Sequence, residues 1–127
     1  MDAIQLFELA ARQARYLSVS QGVIADNVSN ANSPGFRARA VQPFADVLQH
    51  TGLTLASTNP SHLSVPAAES EAAASVRDDV PWETSASGNT VSLEQEMIKA
   101  GEVNRSYSLN TQIVKAFHGM LLSSVRG

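Results

Sequence analysis

The chain has 127 residues, 43% of them hydrophobic, 17% charged and none cysteine, with a formal net charge of −3. That length suits one compact domain, and the lack of cysteine excludes disulfides, thiolate metal sites and a cysteine nucleophile. The acidic balance argues against nucleic-acid binding, which needs a basic stripe; no apolar run reaches the ~18–20 residues that cross a bilayer, and Asp2, Glu8, Arg12 and Arg15 interrupt any secretory h-region.

From Asp2 to about Ala31 the pattern is helical. Ala3, Phe7, Ala10, Ala14, Leu17, Gln21, Ile24, Val28 and Ala31 recur at alternating intervals of four and three, a heptad seam with Gln21 its one polar member. Residues 1–32 are therefore expected to form an N-terminal axial helix, about 45 Å long at 1.5 Å per residue. Ser33-Pro34-Gly35 stops it: the proline drives Ser33 out of the helical region, and Pro34-Gly35 suits the centre of a type II turn. Asn30 or Asn32 suits a left-handed cap. The rest of 33–50 reads as a short helical or extended segment, in which Phe44 and Leu48 share a face at helical spacing.

Residues 51–90 differ in character. They hold one basic side chain, Arg77, against five acidic ones, Glu69, Glu71, Asp78, Asp79 and Glu83, among many Ala, Ser and Thr. Few large apolar groups are present to offset the entropy of ordering the chain, so an extended, solvated connector is expected, with short strands near Leu53–Leu55 and His62–Val65. Trp82, the sole tryptophan, is placed to anchor the connector on the helices or on a neighbour. His62 has no second ligand or carboxylate nearby in sequence and reads as a loop histidine; His50 and His118 are equally isolated, so no metal site is expected.

Residues 91–127 are expected to form a second axial helix, running to about Ser124. Ser92-Leu93-Glu94-Gln95 is a capping-box sequence, in which the Ser92 hydroxyl and the Gln95 amide satisfy free backbone donors. Leu93, Met97, Ala100, Asn104, Tyr107, Thr111, Val114, Phe117 and Leu121 keep nearly the same three-four spacing. Glu94 and Glu96 point to different faces and favour the start of the helix through its dipole. Gly101 costs about 1 kcal/mol against alanine unless another helix approaches closely there.

These elements predict a mainly α fold: two long terminal helices forming an antiparallel coiled-coil pair, joined by a partly irregular connector with little β structure. Phe7, Ala10, Ala14, Leu17, Ile24 and Val28 on the first helix, and Leu93, Met97, Ala100, Tyr107, Val114, Phe117 and Leu121 on the second, are the expected packing residues. A hairpin along these seams leaves Leu6, Leu9, Val23, Ile98, Leu109, Ile113 and Met120 on the flanks. At about 25 cal/mol per Å² of apolar area, the flanks hold several kcal/mol of unused driving force. Packing against other subunits uses it; so does a connector folded back into a monomeric bundle. No Gly-x-Ser-x-Gly elbow occurs, and no catalytic residue or cofactor is expected.

The run Ala25-Asp26-Asn27-Val28-Ser29-Asn30-Ala31-Asn32-Ser33-Pro34-Gly35-Phe36 resembles the N-terminal signature of bacterial flagellar rod and hook proteins. Asn27, Asn30, Asn32, Pro34, Gly35 and Phe36 match it; Ser29 stands where alanine is usual and Ser33 where threonine is usual. Leu6-Phe7-Glu8-Leu9-Ala10, Arg15-Tyr16-Leu17-Ser18-Val19-Ser20-Gln21, Thr58-Asn59-Pro60-Ser61-His62-Leu63 and Gly88-Asn89-Thr90-Val91-Ser92-Leu93-Glu94-Gln95-Glu96-Met97 narrow the resemblance to FlgB-type proximal rod proteins. Ser92 replaces the usual aspartate with an equally good N-cap, and only residues 64–86 lack the resemblance.

The resemblance implies a structural subunit of the flagellar rod in the periplasm, exported by the flagellar type III system without a cleaved signal peptide. Its terminal helices would pack with those of other subunits around the export channel. The implied partners are other rod proteins, further copies of the chain, the adaptor joining rod to membrane ring, and the export gate, with Phe44 and Leu48 resembling the element read at that gate. A helical adaptor or export chaperone is the alternative.

Overall fold

The structure is a computed structural model that describes residues 3–50 and 75–126; the strands expected near 53–55 and 62–65, and His62, lie outside the described residues. Element order is α1 (Ala3–Ser29), β1 (Arg39–Val41), α2 (Phe44–His50), β2 (Val76–Asp78) and α3 (Leu93–Arg126). The chain is mainly helical with little strand. Two long helices dominate, of 27 and 34 residues, or about 40 and 50 Å.

Contacts between α1 and α3 run in opposite order along the two helices. Phe7, near the start of α1, meets Phe117 edge-on with ring centroids 5.8 Å apart. Asn110 Nδ2 donates to the Ala10 carbonyl at 2.9 Å, and Asn27, near the end of α1, donates to Glu96 at the start of α3. Ala10, Leu17, Ile24 and Ala38 are the buried apolar residues among those described. Apolar burial is thin for helices of this length, and buried polar groups punctuate it.

The α1 seam departs from the expected stripe toward its end. Ser20 and Asn27 are buried, whereas Gln21 and Val28 are exposed, because β1 as well as α3 packs against this end of α1. On α3 the displacement is larger. Its inward face carries Ser92, Glu96, Lys99, Val103, Ser106 and Asn110 before reaching Val114, Phe117 and Leu121. Leu93, Met97 and Tyr107 are exposed, Met97 at 75%. Up to residue 111 the expected stripe therefore lies one residue, or about 100°, away from the face that meets α1.

The helix ends differ from expectation in two details. Among the described residues only Gly35 and Gly88 have positive φ, so neither Asn30 nor Asn32 forms a left-handed cap. Tightened turns close α1 instead, with Ala31 N–H donating to Val28 O at 3.2 Å and Ser33 N–H to Asn30 O at 3.0 Å. At α3 the capping box is half made. Gln95 N–H donates to Ser92 Oγ at 3.4 Å, but the Gln95 amide turns away to Asp79 Oδ2 and Val80 O, at 3.3 and 3.4 Å. Gly101 has open space where a Cβ would stand, so no close contact among the described residues requires a glycine there.

The end of the connector is anchored rather than loose. β2 pairs antiparallel with β1, Ala40 opposite Arg77, and the ladder is extended by Asp79 N–H to Ala38 O at 2.9 Å and Gln42 N–H to Ser75 O at 3.0 Å. Trp82, 63% exposed, is not buried on the helices. α2 rests on α1 through Phe44 and Tyr16, with ring centroids 5.2 Å apart.

Candidate functional site

Where α1 ends and α3 begins, the signature run is bound to the segment before α3 by a polar cluster. Asn27 is fully buried. Its Nδ2 donates to Arg39 O at 2.7 Å and to Glu96 Oε2 at 3.1 Å, and its Oδ1 accepts Arg39 N–H at 2.9 Å. The carboxamide thus treats the Arg39 peptide as a neighbouring strand would, sealing one edge of the small sheet. Ordinary helix termination would leave the side chain in water; here the residue joins α1, β1 and α3.

Glu96, also fully buried, is not the solvated dipole charge its position suggested. Its Oε1 accepts from Lys99 Nζ at 2.9 Å, and Lys99 also pairs with Asp79. A buried carboxylate persists only when paired and hydrogen-bonded, and Asn27 and Lys99 supply both conditions. Burial alone would lower the Lys99 pKa, but the hydrogen bonds to Asp79 and Glu96 outweigh it and hold the ammonium above its ordinary value. The exposed pairs of Arg39 with Asp26 and Arg37 with Asp78 add little.

Beside this cluster, Asn89 is buried and caps the far end of α1. Its Nδ2 faces the carbonyls of Asn30, Ala31 and Ser33 at 2.9, 3.0 and 2.7 Å, and its Oδ1 accepts Val91 N–H at 2.8 Å. One amide so gathers three carbonyls at the helix end, of which those of Asn30 and Ser33 also accept main-chain N–H groups. Main-chain bonds reinforce the clasp: Gly35 N–H to Ser87 O at 2.9 Å and Thr90 N–H to Phe36 O at 3.0 Å. The Thr90 hydroxyl accepts Ala38 N–H at 2.8 Å.

Two glycine turns make this approach possible. Phe36 N–H donates to Ser33 O at 3.2 Å with Gly35 at φ 71°, the positive value a type II turn demands at that position. Gly88, at φ 80°, faces it, and a Cβ there would lie 3.6 Å from Gly35 Cα. Because nothing among the described residues lies within 4 Å of a Cβ on Gly35, the cost of substitution there comes chiefly from the backbone. Gly35→Val is expected to lower unfolding free energy by about 1–2 kcal/mol, with Gly35→Asn recovering part of it, as read from urea midpoints.

The signature residues Asn27, Asn30, Pro34, Gly35 and Phe36 thus surround one clasp, while Asn32 is exposed. Asn30 Nδ2 donates back to Asp26 O at 2.9 Å. Phe7, Ala10, Ala14, Leu17, Ile24, Val114, Phe117 and Leu121 are buried or half-buried; Val28, Leu93, Met97 and Tyr107 are exposed, and Ala100 is half-buried. Phe44 and Leu48 are half-buried. The periodicity reading missed Glu96, Lys99, Asn89 and Asn110; the i,i+3 spacing of Glu96 and Lys99 was the available signal for the first two. No group of metal-binding side chains occurs among the described residues, and no helix described is long and apolar enough to cross a membrane.

No family model matches the chain. It is 45% identical to a flagellar basal body rod protein FlgB from Agrobacterium fabrum, over 99% of this chain and 96% of the relative. It is 31% identical to a flagellar basal body rod protein FlgB from Proteus mirabilis, over 76% of this chain and 75% of that protein.

Proposed function

Since the chain belongs to the FlgB family of flagellar basal body rod proteins, we propose that it is a non-catalytic structural subunit of the proximal rod. In this reading α1 and α3 form an antiparallel coiled-coil layer that packs with the terminal helices of other rod subunits. That packing transmits torque and lines the export channel. The observation that carries the reading is the exposed apolar face of α3. Leu93, Met97 and Tyr107 keep heptad-like spacing, yet they point away from α1 and stand in water. Such a stripe is what one helix offers to another, and α1 has already been matched by a different face.

The polar clasp supplies the second requirement of a torque-bearing part, since it joins the two helices at one end into a single body. Load then reaches neighbours through many small apolar contacts rather than through one strong bond. Other rod proteins, further copies of the chain, the adaptor between rod and membrane ring, and the export gate are the partners on this reading. The place of action is the periplasmic rod, reached through the flagellar type III system. Phe44 and Leu48 serve as the element read at the gate; Phe44 is held against Tyr16 in the folded chain, so it is readable while the chain is unfolded.

Cell fractionation distinguishes this reading from a helical adaptor or export chaperone. The tagged chain is expected to sediment with detergent-resistant basal bodies. Recovery in the cytoplasm alone, bound to other secreted subunits, would support the adaptor and overturn the rod assignment.

A further inference from the structure

The side of α3 turned away from α1 has a pattern of its own. Gly101 and Gly119 are 18 residues apart, about five full turns, so they stand on one line along the helix. That line lies roughly opposite Val103, Asn110 and Phe117, which are turned inward. Nothing among the described residues comes within 4 Å of a Cβ on either glycine. Glycine weakens a helix relative to alanine, and no contact among the described residues calls for one at either position. Within about 60° of the line stand Met97, Ile98 and Leu122, exposed at 75%, 50% and 47%. Glu94 and Arg126 lie within about 20° of it, near opposite ends of α3. Neither makes an ion pair with another described residue.

These features share one centre. Asn110 is midway between Gly101 and Gly119, and also midway between Glu94 and Arg126. A two-fold axis at that level therefore lays α3 antiparallel on the α3 of a second chain, with Gly101 of each against Gly119 of the other. The same operation sets Glu94 beside the second copy's Arg126, twice over, and Met97 beside its Leu122. Arg105 and Lys115 fall on opposite sides of the line, so they do not oppose each other across the contact. The glycines let the two backbones approach closely, where dispersion contacts accumulate. The charges fix the direction, because a parallel pair in register would set Glu94 against Glu94 and Arg126 against Arg126.

We propose that the outer face of α3 is a self-complementary docking surface for a second copy of this chain, held antiparallel about a two-fold axis at the level of Asn110. Such a contact is closed: it ends at two copies and covers apolar surface that the single chain leaves wet. It is reversible, so a dilute chain presents the face to water. Under the rod-subunit reading the same face serves rod neighbours, and the pair is then the form of the chain outside the rod, parting before incorporation. Only that consequence rests on the reading. The pairing itself belongs to the purified chain, and its failure leaves the rod assignment standing.

Sedimentation velocity of the full-length chain over a range of concentrations should show a monomer–dimer equilibrium. Gly101→Leu and Gly119→Leu meet open space among the described residues, so circular dichroism should show helix content kept or raised. Each places two leucines in the contact by symmetry and should weaken the dimer about tenfold or more. Glu94→Arg should weaken it several-fold at low salt, and Arg126→Glu likewise, whereas the chain carrying both should regain it. A role confined to the helix ends of one chain predicts the reverse, the double variant being worst, since each substitution opposes the helix dipole. The chain has no cysteine, so mixed single-thiol chains read the register. Ser108 and Gln112 lie two residues either side of Asn110, and under mild oxidation Ser108→Cys chains should join Gln112→Cys chains faster than either joins itself. A chain that stays monomeric at every concentration overturns the proposal. So does a dimer indifferent to both leucine substitutions and to charge reversal.

Discussion

Asn27→Ala is expected to lower the unfolding free energy by about 3 kcal/mol, among the largest effects of any single substitution in the chain. Three hydrogen bonds disappear together. The Arg39 N–H and C=O are left without their partner, and the buried carboxylate of Glu96 keeps only Lys99. Each unsatisfied buried group costs about 1–3 kcal/mol, reduced where water can enter. The near-isosteric Asn27→Asp should be at least as damaging: it keeps an acceptor for Arg39 N–H but sets a carboxylate against Arg39 O and Glu96. Urea unfolding followed by circular dichroism measures the loss, and hydrogen exchange at the Arg39 amide locates it. An Asn27→Ala chain with wild-type stability and a protected Arg39 amide would refute the clasp.

Lys99→Met should cost about 2–3 kcal/mol, because it leaves Glu96 buried beside a single neutral donor. The upper range for breaking a buried pair is about 3–5 kcal/mol, and the figure is reduced here because the Lys99 side chain is 26% exposed. Removing both charges should be milder than removing one. In the double variant Glu96→Leu with Lys99→Met, Asn27 keeps its bonds to Arg39, and Asp79 loses its cation but keeps Gln95 and Val80 N–H. Most of the loss should therefore be recovered, which a double-mutant cycle reads directly. The pH dependence follows from the raised Lys99 pKa. A group whose folded pKa exceeds its unfolded value stabilises fully below the unfolded value and ceases to do so as pH rises through the folded one. Lys99 should thus cease to support the clasp as the solution becomes strongly alkaline, and Lys99→Met should remove that dependence.

The two helices were legible because their apolar residues recur at helical spacing over many turns, and the Ser33-Pro34-Gly35 stop and the Ser92 cap mark their inner ends. The face that α3 turns to α1 was not. Periodicity finds the most apolar stripe, and on the first half of α3 that stripe is Leu93, Met97, Ala100 and Tyr107. Glu96, Lys99 and Asn110 lie inward because each meets a specific polar partner, and no apolar count can detect that. The strands escaped notice for a related reason. Three residues each, they are stabilised by Asn27 at one edge and by the neighbouring turns, not by alternating burial of their own. Asn27 and Asn89 stood within the quoted motifs, but their partners lie far along the chain: Asn89 reaches back 56–59 positions to the end of α1. A single sequence does not disclose which distant carbonyls one amide will gather. The type II turn is the opposite case, since Pro34-Gly35 states its own geometry.

The displaced stripe on α3 gives the functional reading its sharpest consequence. If α3 carries one face for α1 and a second for neighbouring subunits, the second must be wet in the lone chain and dry in the rod. Met97, at 75% exposure, is the place to look. With Met97→Cys as the sole thiol, the account predicts rapid modification of the purified chain and strong protection in isolated basal bodies containing it. Equal reactivity in both states would contradict it, for the apolar face of α3 would then have no subunit against it.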